Sequence, residues 1–219
     1  MMKIFPVLFA AAALAACAGC ASLPAWIEAK HNPPPFTPVN HHGDAQLPAD
    51  LQRVAFLPVH GGGVASPETA GSLDAVLLTA LQRQVRFEVV RVSREDCQRL
   101  FGAGDFASTA ALPPGFLERI AEKYAVDAVL FTDLTVYRAN RPLALGLRSK
   151  LATIRDVRLV WAFDEVFSAE DATMVNSVRR HYGAGDRPAP VDPTPAALQS
   201  PTRFGAVAAE VMFRTLPPR

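Results

Sequence analysis

His60-Gly61-Gly62-Gly63 is the stretch whose residue types come nearest to catalytic chemistry. Consecutive glycines let backbone N–H groups approach a bound anion, and some esterases use glycines after a histidine to hold an oxyanion. That chemistry also needs a nucleophile, which such enzymes carry in a Gly-x-Ser-x-Gly turn, and the sequence contains no such turn. We therefore predict no catalytic residue and interpret the stretch as a strand-to-helix turn.

Two alternatives for this glycine loop stay open. The loop lacks the Gly-Lys-Ser/Thr ending of a phosphate-binding loop, but glycines ahead of a helix N-terminus can receive an anion. The first alternative is an anion-binding loop formed by Gly61, Gly62 and Gly63. The second, which we favour least, is a hydrolase centred on His60.

Acidic side chains near strand ends and neighbouring histidines are the other candidates for chemistry. Two carboxylates at working distance could act as acid and base, and paired histidines could bind a metal. No spacing brings two of the carboxylates together, and no cysteine or acidic cluster accompanies the histidines. We therefore expect solvated strand ends and a solvated loop, with no metal and no cofactor. The residues concerned are Asp127, Asp133, Asp164, Glu165, His31, His41 and His42.

Two further groups of residues have structural interpretations. Trp161 and Phe163 are expected to lie in the core or in one patch of a partner surface, because large aromatic side chains contribute most to both. The cluster Arg179-Arg180-His181 is expected to be the solvated end of a helix, where cations interact favourably with the helix dipole.

The N-terminal residues indicate export. Lys3 precedes an apolar stretch over residues 4–14, and small residues follow, which is the layout of a secretory signal peptide. The apolar stretch is shorter than the roughly 20 residues of a membrane-spanning helix. Ordinary secretion, with cleavage after Ala15 and no lipid, is one interpretation of this pattern.

The motif Leu14-Ala15-Ala16-Cys17 resembles a bacterial lipobox, which favours a different interpretation. The resemblance implies cleavage before Cys17, acylation of that cysteine with palmitate and similar chains, and an anchor in a membrane outside the cytoplasm. It further implies the outer membrane, because Ala18 stands where inner-membrane lipoproteins often carry aspartate. Cys20 fits a lipobox poorly, since Cys17 lies three residues before it. Several acyl chains anchor a protein stably, whereas one anchors it only marginally.

Length and composition predict one medium-sized domain with flanking segments. The chain has 219 residues, a formal net charge of +1 and 19 prolines. This charge gives no indication of a nucleic-acid partner. We assign residues 1–16 to a signal peptide, 17–50 to a proline-rich tether and 51–219 to the domain, with a proline-rich loop at about 183–201. Cys97 is expected to be a small buried hydrophobe, and three cysteines do not form a disulfide framework.

Hydrophobic periodicity predicts an α/β (α+β) fold. The sequence indicates a mixed sheet of about five strands flanked by helices, in which the last two strands form an antiparallel C-terminal hairpin. Strands are expected at 54–59, 87–92, 127–137, 143–154 and 157–167. Helices are expected to begin at Ser66 and Ser93, and to cover 116–124, 168–182 and 202–215.

Several phrases resemble the periplasmic domain of curli-secretion lipoproteins of the CsgG type, and of the related lipoproteins that activate peptidoglycan synthases. The first is the apolar strand at 53–59, and the second is the helix followed by Asp127-Ala128-Val129. The third is the strand at 160–167 with its tryptophan. The likeness covers about 53–182. It departs from the pore-forming members at 143–154, where Arg148, Lys150 and Arg155 do not alternate as lipid-facing strands require.

Anchor and resemblance together predict a non-enzymatic, lipid-anchored envelope protein that faces the periplasm from the outer membrane. Its expected partners are the membrane, through the lipid on Cys17, and another envelope protein or copies of itself. No nucleic acid is expected. The alternative is a subunit of an outer-membrane export channel of the curli-secretion type.

Overall fold

A mixed sheet in the order β1-β6-β5-β4-β2-β3 organises the domain. A computed structural model describes residues 33–183 and 191–219. The strands in these ranges are β1 (His41–Gly43), β2 (Arg53–Phe56), β3 (Glu88–Arg91), β4 (Ala128–Arg138), β5 (Ala144–Thr153) and β6 (Leu159–Ser168). The helices are α1 (Pro67–Gln82), α2 (Arg94–Phe101), α3 (Phe116–Tyr124), α4 (Ala172–Gly183), α5 (Thr194–Ala197) and α6 (Pro201–Phe213).

Strand direction follows from the connections between strands. β2 is parallel to both β3 and β4, and helices connect these strands along the chain. β4, β5 and β6 are joined by short turns and pair antiparallel. Short connections permit only antiparallel neighbours, whereas parallel strands need a crossover segment. The predicted mixed sheet with an antiparallel hairpin is therefore confirmed.

Each face of the sheet has its own apolar cluster. The larger cluster lies against α1, α4 and α6 and includes Leu77, Trp161 and Phe204. The smaller cluster lies under α2 and α3 and includes Phe116 and the buried Cys97. Helices that contribute one apolar stripe each can bury a sheet in this way. None of the helices in the described ranges has the length and apolar character needed to cross a membrane.

The structure has one strand more than the five predicted, and this strand, β1, lies in the segment that the sequence assigns to a tether. β1 pairs antiparallel with β6, so that His42 is opposite Ala162. The Phe36 ring packs against the ring of Phe167 at 5.2 Å, and Leu47 is buried. The predicted tether therefore extends too far, because 35–50 is part of the domain, and residues 17–32 lie outside the described ranges. β1 consists of His41, His42 and Gly43. Three residues without an apolar side chain show no alternation of apolar and polar positions, so the sequence does not indicate this strand.

The predicted loop at about 183–201 differs in part from the structure. α5 lies within it, with Thr194 and Ala197 buried against the domain. Residues 184–190 lie outside the described ranges. A proline-rich composition indicates that long regular elements are interrupted, but it does not exclude a single helical turn.

A bulge in the pairing of β4 with β5 depends on Gly146. The register shifts between Leu134 and Val136, which leaves Thr135 as the extra residue. A Cβ atom on Gly146 would lie against the Thr135 hydroxyl and 2.7 Å from the backbone nitrogen of Val136. The backbones can approach this closely only because residue 146 has no side chain.

We predict that Gly146→Ala lowers the free energy of unfolding by about 2 kcal/mol, because the added methyl overpacks the bulge. Chemical denaturation would measure the change. Gly104→Ala is the matched control, since its new Cβ would meet the nearest atoms at 3.8 Å, an ordinary contact. The control should change stability by less than about 0.5 kcal/mol. Equal stability of the two variants would contradict the role given to Gly146.

Candidate functional site

The loop that follows β2 is fixed to β4 through the backbone of His60. The His60 N–H donates to the Thr132 carbonyl at 2.9 Å, and the Leu134 N–H donates to the His60 carbonyl at 2.8 Å. These bonds form an isolated parallel bridge between His60 and Asp133. The first residue of the predicted glycine loop therefore extends the sheet beyond the end of β2.

The three glycines that follow are explained by the turn itself. The Gly61 carbonyl accepts from Val64 and Ala65, and a Cβ on Gly61 would lie 2.8 Å from the Ala65 carbonyl. Gly62 and Gly63 have φ values of 61° and 77°, in the left-handed region that favours glycine. This geometry supports the interpretation as a strand-to-helix turn.

Helix α1 begins directly after this turn with its own cap. The Ser66 hydroxyl accepts a hydrogen bond from the Thr69 N–H at 3.2 Å, and Pro67 occupies the first helical position. Glu68 adds a negative charge in the first turn. One of the donors that an anion would use is therefore already occupied. The anion-binding loop of Gly61, Gly62 and Gly63 stays a prediction.

Four charged or ionisable side chains meet beneath the loop, and we call them the Arg94 network: His60, Asp74, Arg94 and Asp105. The His60 Nδ1 lies 2.6 Å from Asp105 Oδ1, and the Arg94 Nη1 donates to the other Asp105 oxygen, also at 2.6 Å. Arg94 Nε and Nη2 each donate to an Asp74 oxygen at 3.1 Å. Nη2 also donates to the Val59 carbonyl at 2.6 Å. The network thus joins α1, α2, the end of β2 and the segment after α2.

Asp74 is the most deeply buried member of the Arg94 network. It is 7% exposed, and its carboxylate also accepts the backbone N–H of Val59 at 2.8 Å. Burial raises the pKa of Asp74, while the Val59 bond and the Arg94 guanidinium oppose that rise. The arginine therefore favours the charged form of a buried carboxylate.

The His60–Asp105 pair resembles two members of a hydrolase triad, in which an aspartate orients a histidine. In the described residues, the recorded hydrogen bonds of the ring go to Asp105, and no hydroxyl or thiol takes part. Asp105 is also held by Arg94. The arrangement is suited to fixing the loop, and it lacks the nucleophile contact that acyl transfer requires.

The acidic residues selected from the sequence are placed separately, each with its own partner. Asp127 accepts the backbone N–H groups of Gln52 and Arg53, which fixes the start of β2. Asp133 accepts the N–H and hydroxyl of Ser108. The expectation of solvated strand ends is therefore wrong for Asp133, which is buried.

The last two acids lie on β6. Asp164 accepts from Arg148 at 2.8 Å, and Glu165 accepts the backbone N–H groups of Val39 and Asn40. These bonds fasten the segment before β1 to the sheet. The position of Glu165 is explained by the two backbone N–H groups that it accepts, and it needs no acid–base function.

The remaining candidates have plain positions. Trp161 and Phe163 are buried in the core, as one of the two expectations stated. In the Arg179-Arg180-His181 cluster the arginines lie at the helix end, but the His181 Nδ1 is 2.6 Å from Glu210. His41 and His42 belong to β1, while Cys17 and His31 lie outside the described ranges. Within those ranges, no group of three or more histidine, cysteine or acidic side chains is placed to hold a metal ion.

Cys97 has the environment expected of a small apolar side chain. It is fully buried in the smaller cluster and carries a free thiol. Burial raises the pKa of this thiol to about 11. The thiolate, which is the reactive form, is therefore disfavoured at neutral pH.

The chain matches no model of a protein family and no curated protein sequence. Among solved structures it is similar to the PelC dodecamer from Paraburkholderia phytofirmans, at 12% identity and a TM-score of 0.42, over 78% of this chain and 94% of that one. It is also similar to lipoprotein GNA1162 from Neisseria meningitidis (14% identity, TM-score 0.40, 53% and 79%). A third is the LpoB C-terminal domain from Salmonella enterica (16%, 0.37, 56% and 87%). Likenesses this distant assign no function to the chain.

We predict that Arg94→Met lowers the free energy of unfolding by about 3 kcal/mol at pH 7, because it leaves the buried Asp74 charge without its cation. Loss of the arginine raises the pKa of folded Asp74 further. The folded state then binds a proton that the unfolded state has released, so the variant loses stability as pH rises above the unfolded pKa of about 4. Urea unfolding at several pH values would measure this difference.

Arg99→Met is the matched control for that measurement. Arg99 pairs with Asp96 at 3.3 Å, but its side chain is 69% exposed. An exposed pair contributes little, so the control should unfold like the wild type at every pH. A deficit in Arg94→Met that does not depend on pH would contradict the link to Asp74.

Proposed function

We propose that the chain is a lipid-anchored, non-enzymatic module of the cell envelope that binds another envelope protein or copies of itself. The lipobox that ends at Cys17 carries the proposal. Acylation of this cysteine would hold the following domain at a membrane surface outside the cytoplasm. We assign the anchor to the outer membrane, with the domain facing the periplasm.

The distance between anchor and domain sets the reach of such a module. The structural unit begins at Pro35, which is 18 residues after Cys17. A chain of that length spans at most about 60 Å when fully extended. Confinement within this distance raises the effective concentration of the domain toward partners in the same membrane. An affinity that is weak in solution would therefore suffice.

The contacts of the glycine loop support a binding role over hydrolysis. Gly61 and Gly62 approach neighbouring carbonyls, and His60 is held by Asp105 inside the Arg94 network. The sequence features that suggested an oxyanion site thus have structural functions in the turn. A module without catalysis needs only a stable domain and a surface for its partner.

The export-channel alternative gains no support from the hairpin β5–β6. The side chains on one face of this hairpin are buried in the larger cluster, including Leu147, Leu151 and Trp161. The same strands pair with β4 and β1, which makes them part of the domain sheet. Because this hairpin contributes to the core and to the middle of the sheet, it supports a folded binding module.

We predict that Cys17→Ser abolishes membrane attachment, because the serine oxygen replaces the sulfur that is acylated. Mass spectrometry of the wild-type chain from membranes should show an acylated N-terminus at Cys17, and the variant should lack the acyl mass. Cys20→Ser is the matched control and should stay acylated and membrane-bound. An unmodified sulfur at position 17 would contradict the anchor.

We predict no esterase turnover from the glycine loop. The purified protein and His60→Ala should hydrolyse a short p-nitrophenyl ester at the same background rate, because the His60 ring is bound to Asp105 and, in the described residues, to no hydroxyl or thiol. Stopped assays followed by absorbance would measure both rates. Hydrolysis above background that disappears in His60→Ala would revive the hydrolase alternative.

A further inference from the structure

Strand β3 is an edge of the sheet whose outer side is unpaired in the described residues. On the side that faces β2, the backbone N–H of Glu88 donates to the Gln52 carbonyl, and the backbone N–H of Val92 donates to the Phe56 carbonyl. Bonding residues alternate along a parallel ladder, so the backbone groups of Val89 and Arg91 point away from β2. The edge therefore presents backbone donors and acceptors to a further strand.

Three arginines lie at or beside this edge: Arg91 on β3 itself, and Arg86 and Arg219, which line the groove next to it. None of the three forms an ion pair within the part of the chain that the structure describes. The acid on the strand itself, Glu88, is already paired with Arg53 at 3.1 Å. The edge is therefore basic, although the charge of Arg91 also acts within the domain, where it lowers the pKa of Asp74.

Two features next to β3 are unfavourable in the isolated chain. The Nε of Arg86 is buried without a hydrogen-bond partner in the described residues. Val85 is 84% exposed and has a φ of 52°, in the left-handed region that side chains other than glycine rarely adopt. Both residues line an open groove of about 480 Å³ beside the strand. A ligand with a carboxylate could accept a hydrogen bond from the Arg86 guanidinium, and apolar surface on it could cover the Val85 side chain.

We propose that β3 is the docking edge for an extended acidic segment of a partner protein, which would be added as a further strand of the sheet. In this mode, backbone bonds to Val89 and Arg91 supply affinity, and side chains supply specificity. Acidic side chains of the segment would pair with Arg86 and Arg91, and an apolar one would cover Val85. The inference rests on the proposed binding role and names its surface.

The same charges disfavour a second copy of the chain as occupant. Two β3 strands joined edge to edge would bring Arg86 and Arg91 of both copies close together, and like charges across a strand pair are destabilising. Charged edge residues commonly prevent association of identical sheets. An acidic segment would be attracted where a second copy is repelled. Its carboxylates would form charge-assisted hydrogen bonds with Arg86 and Arg91.

The test uses the full mature chain in detergent and a fluorescent peptide of seven alternating valines and glutamates. We expect binding in an anisotropy titration that weakens as salt rises. Val89→Pro removes the outward N–H, which proline tolerates at an edge, and it replaces a side chain that packs against the larger cluster. It should weaken binding about tenfold, the effect of one hydrogen bond. Arg86→Gln with Arg91→Gln should weaken it more than tenfold in total.

Two controls keep the test decisive. Val89→Thr retains the N–H and should bind like the wild type, and thermal unfolding should show that every variant is folded. A peptide with lysine in place of glutamate should not bind. Equal binding of Val89→Pro, equal binding of the lysine peptide, or no binding up to roughly millimolar peptide would overturn the inference.

Failure of this inference is distinct from failure of the proposed function. A dimer of the wild-type chain that Val89→Pro dissociates would assign the edge to a second copy, and it would overturn the acidic segment as occupant. The state of the sulfur at position 17 is measured separately by mass spectrometry. An acylated chain whose β3 edge binds nothing would keep the anchored module and place its partner surface elsewhere.

Discussion

The Arg94 guanidinium is the interaction on which the end of the parallel sheet depends. It donates to Asp74 on α1, to Asp105 after α2 and to the Val59 carbonyl beyond β2. A planar guanidinium can hold several acceptors in fixed directions, which a lysine ammonium cannot do. Without it, the buried carboxylate of Asp74 would keep its bond from the Val59 N–H but would lose its cation. One side chain thus fixes two helices relative to the strand that they cover.

This constraint accounts for the shape of the loop that looks catalytic in the sequence. The backbone of His60 is bonded to β4, and its ring is bonded to Asp105, which Arg94 also holds. The glycines then have to turn the chain within a few residues to reach the cap of α1 at Ser66. Close approach and positive φ are consequences of that short turn. A run of glycines before a helix can therefore be required by a short connection as well as by a bound ligand.

The elements that repeat a local pattern could be predicted from the sequence, and those set by distant contacts could not. The apolar strands β4, β5 and β6 and the capped helices α1 and α2 follow from periodicity and from Ser66 and Ser93. β1 has three residues and exists because β6 offers an edge. The Arg94 network joins positions 74, 94 and 105, which no short motif connects. One signal was present, since Asp74 lies on the apolar stripe of α1 with Leu77 and Leu81, and a carboxylate there implies a buried cation.

The two edges of the sheet are finished in different ways, and the difference bears on function. The β1 edge is fastened by Glu165, which accepts two backbone N–H groups of the preceding segment, and by Phe36. At the β3 edge, Arg219 donates to the Arg86 carbonyl just before the strand, and the described residues place no further strand beside Val89 and Arg91. A domain held near a membrane meets its partners at high local concentration. If the chain is anchored as proposed, a short edge strand with a few backbone bonds and salt-dependent ion pairs would suffice, even though it would bind weakly in solution.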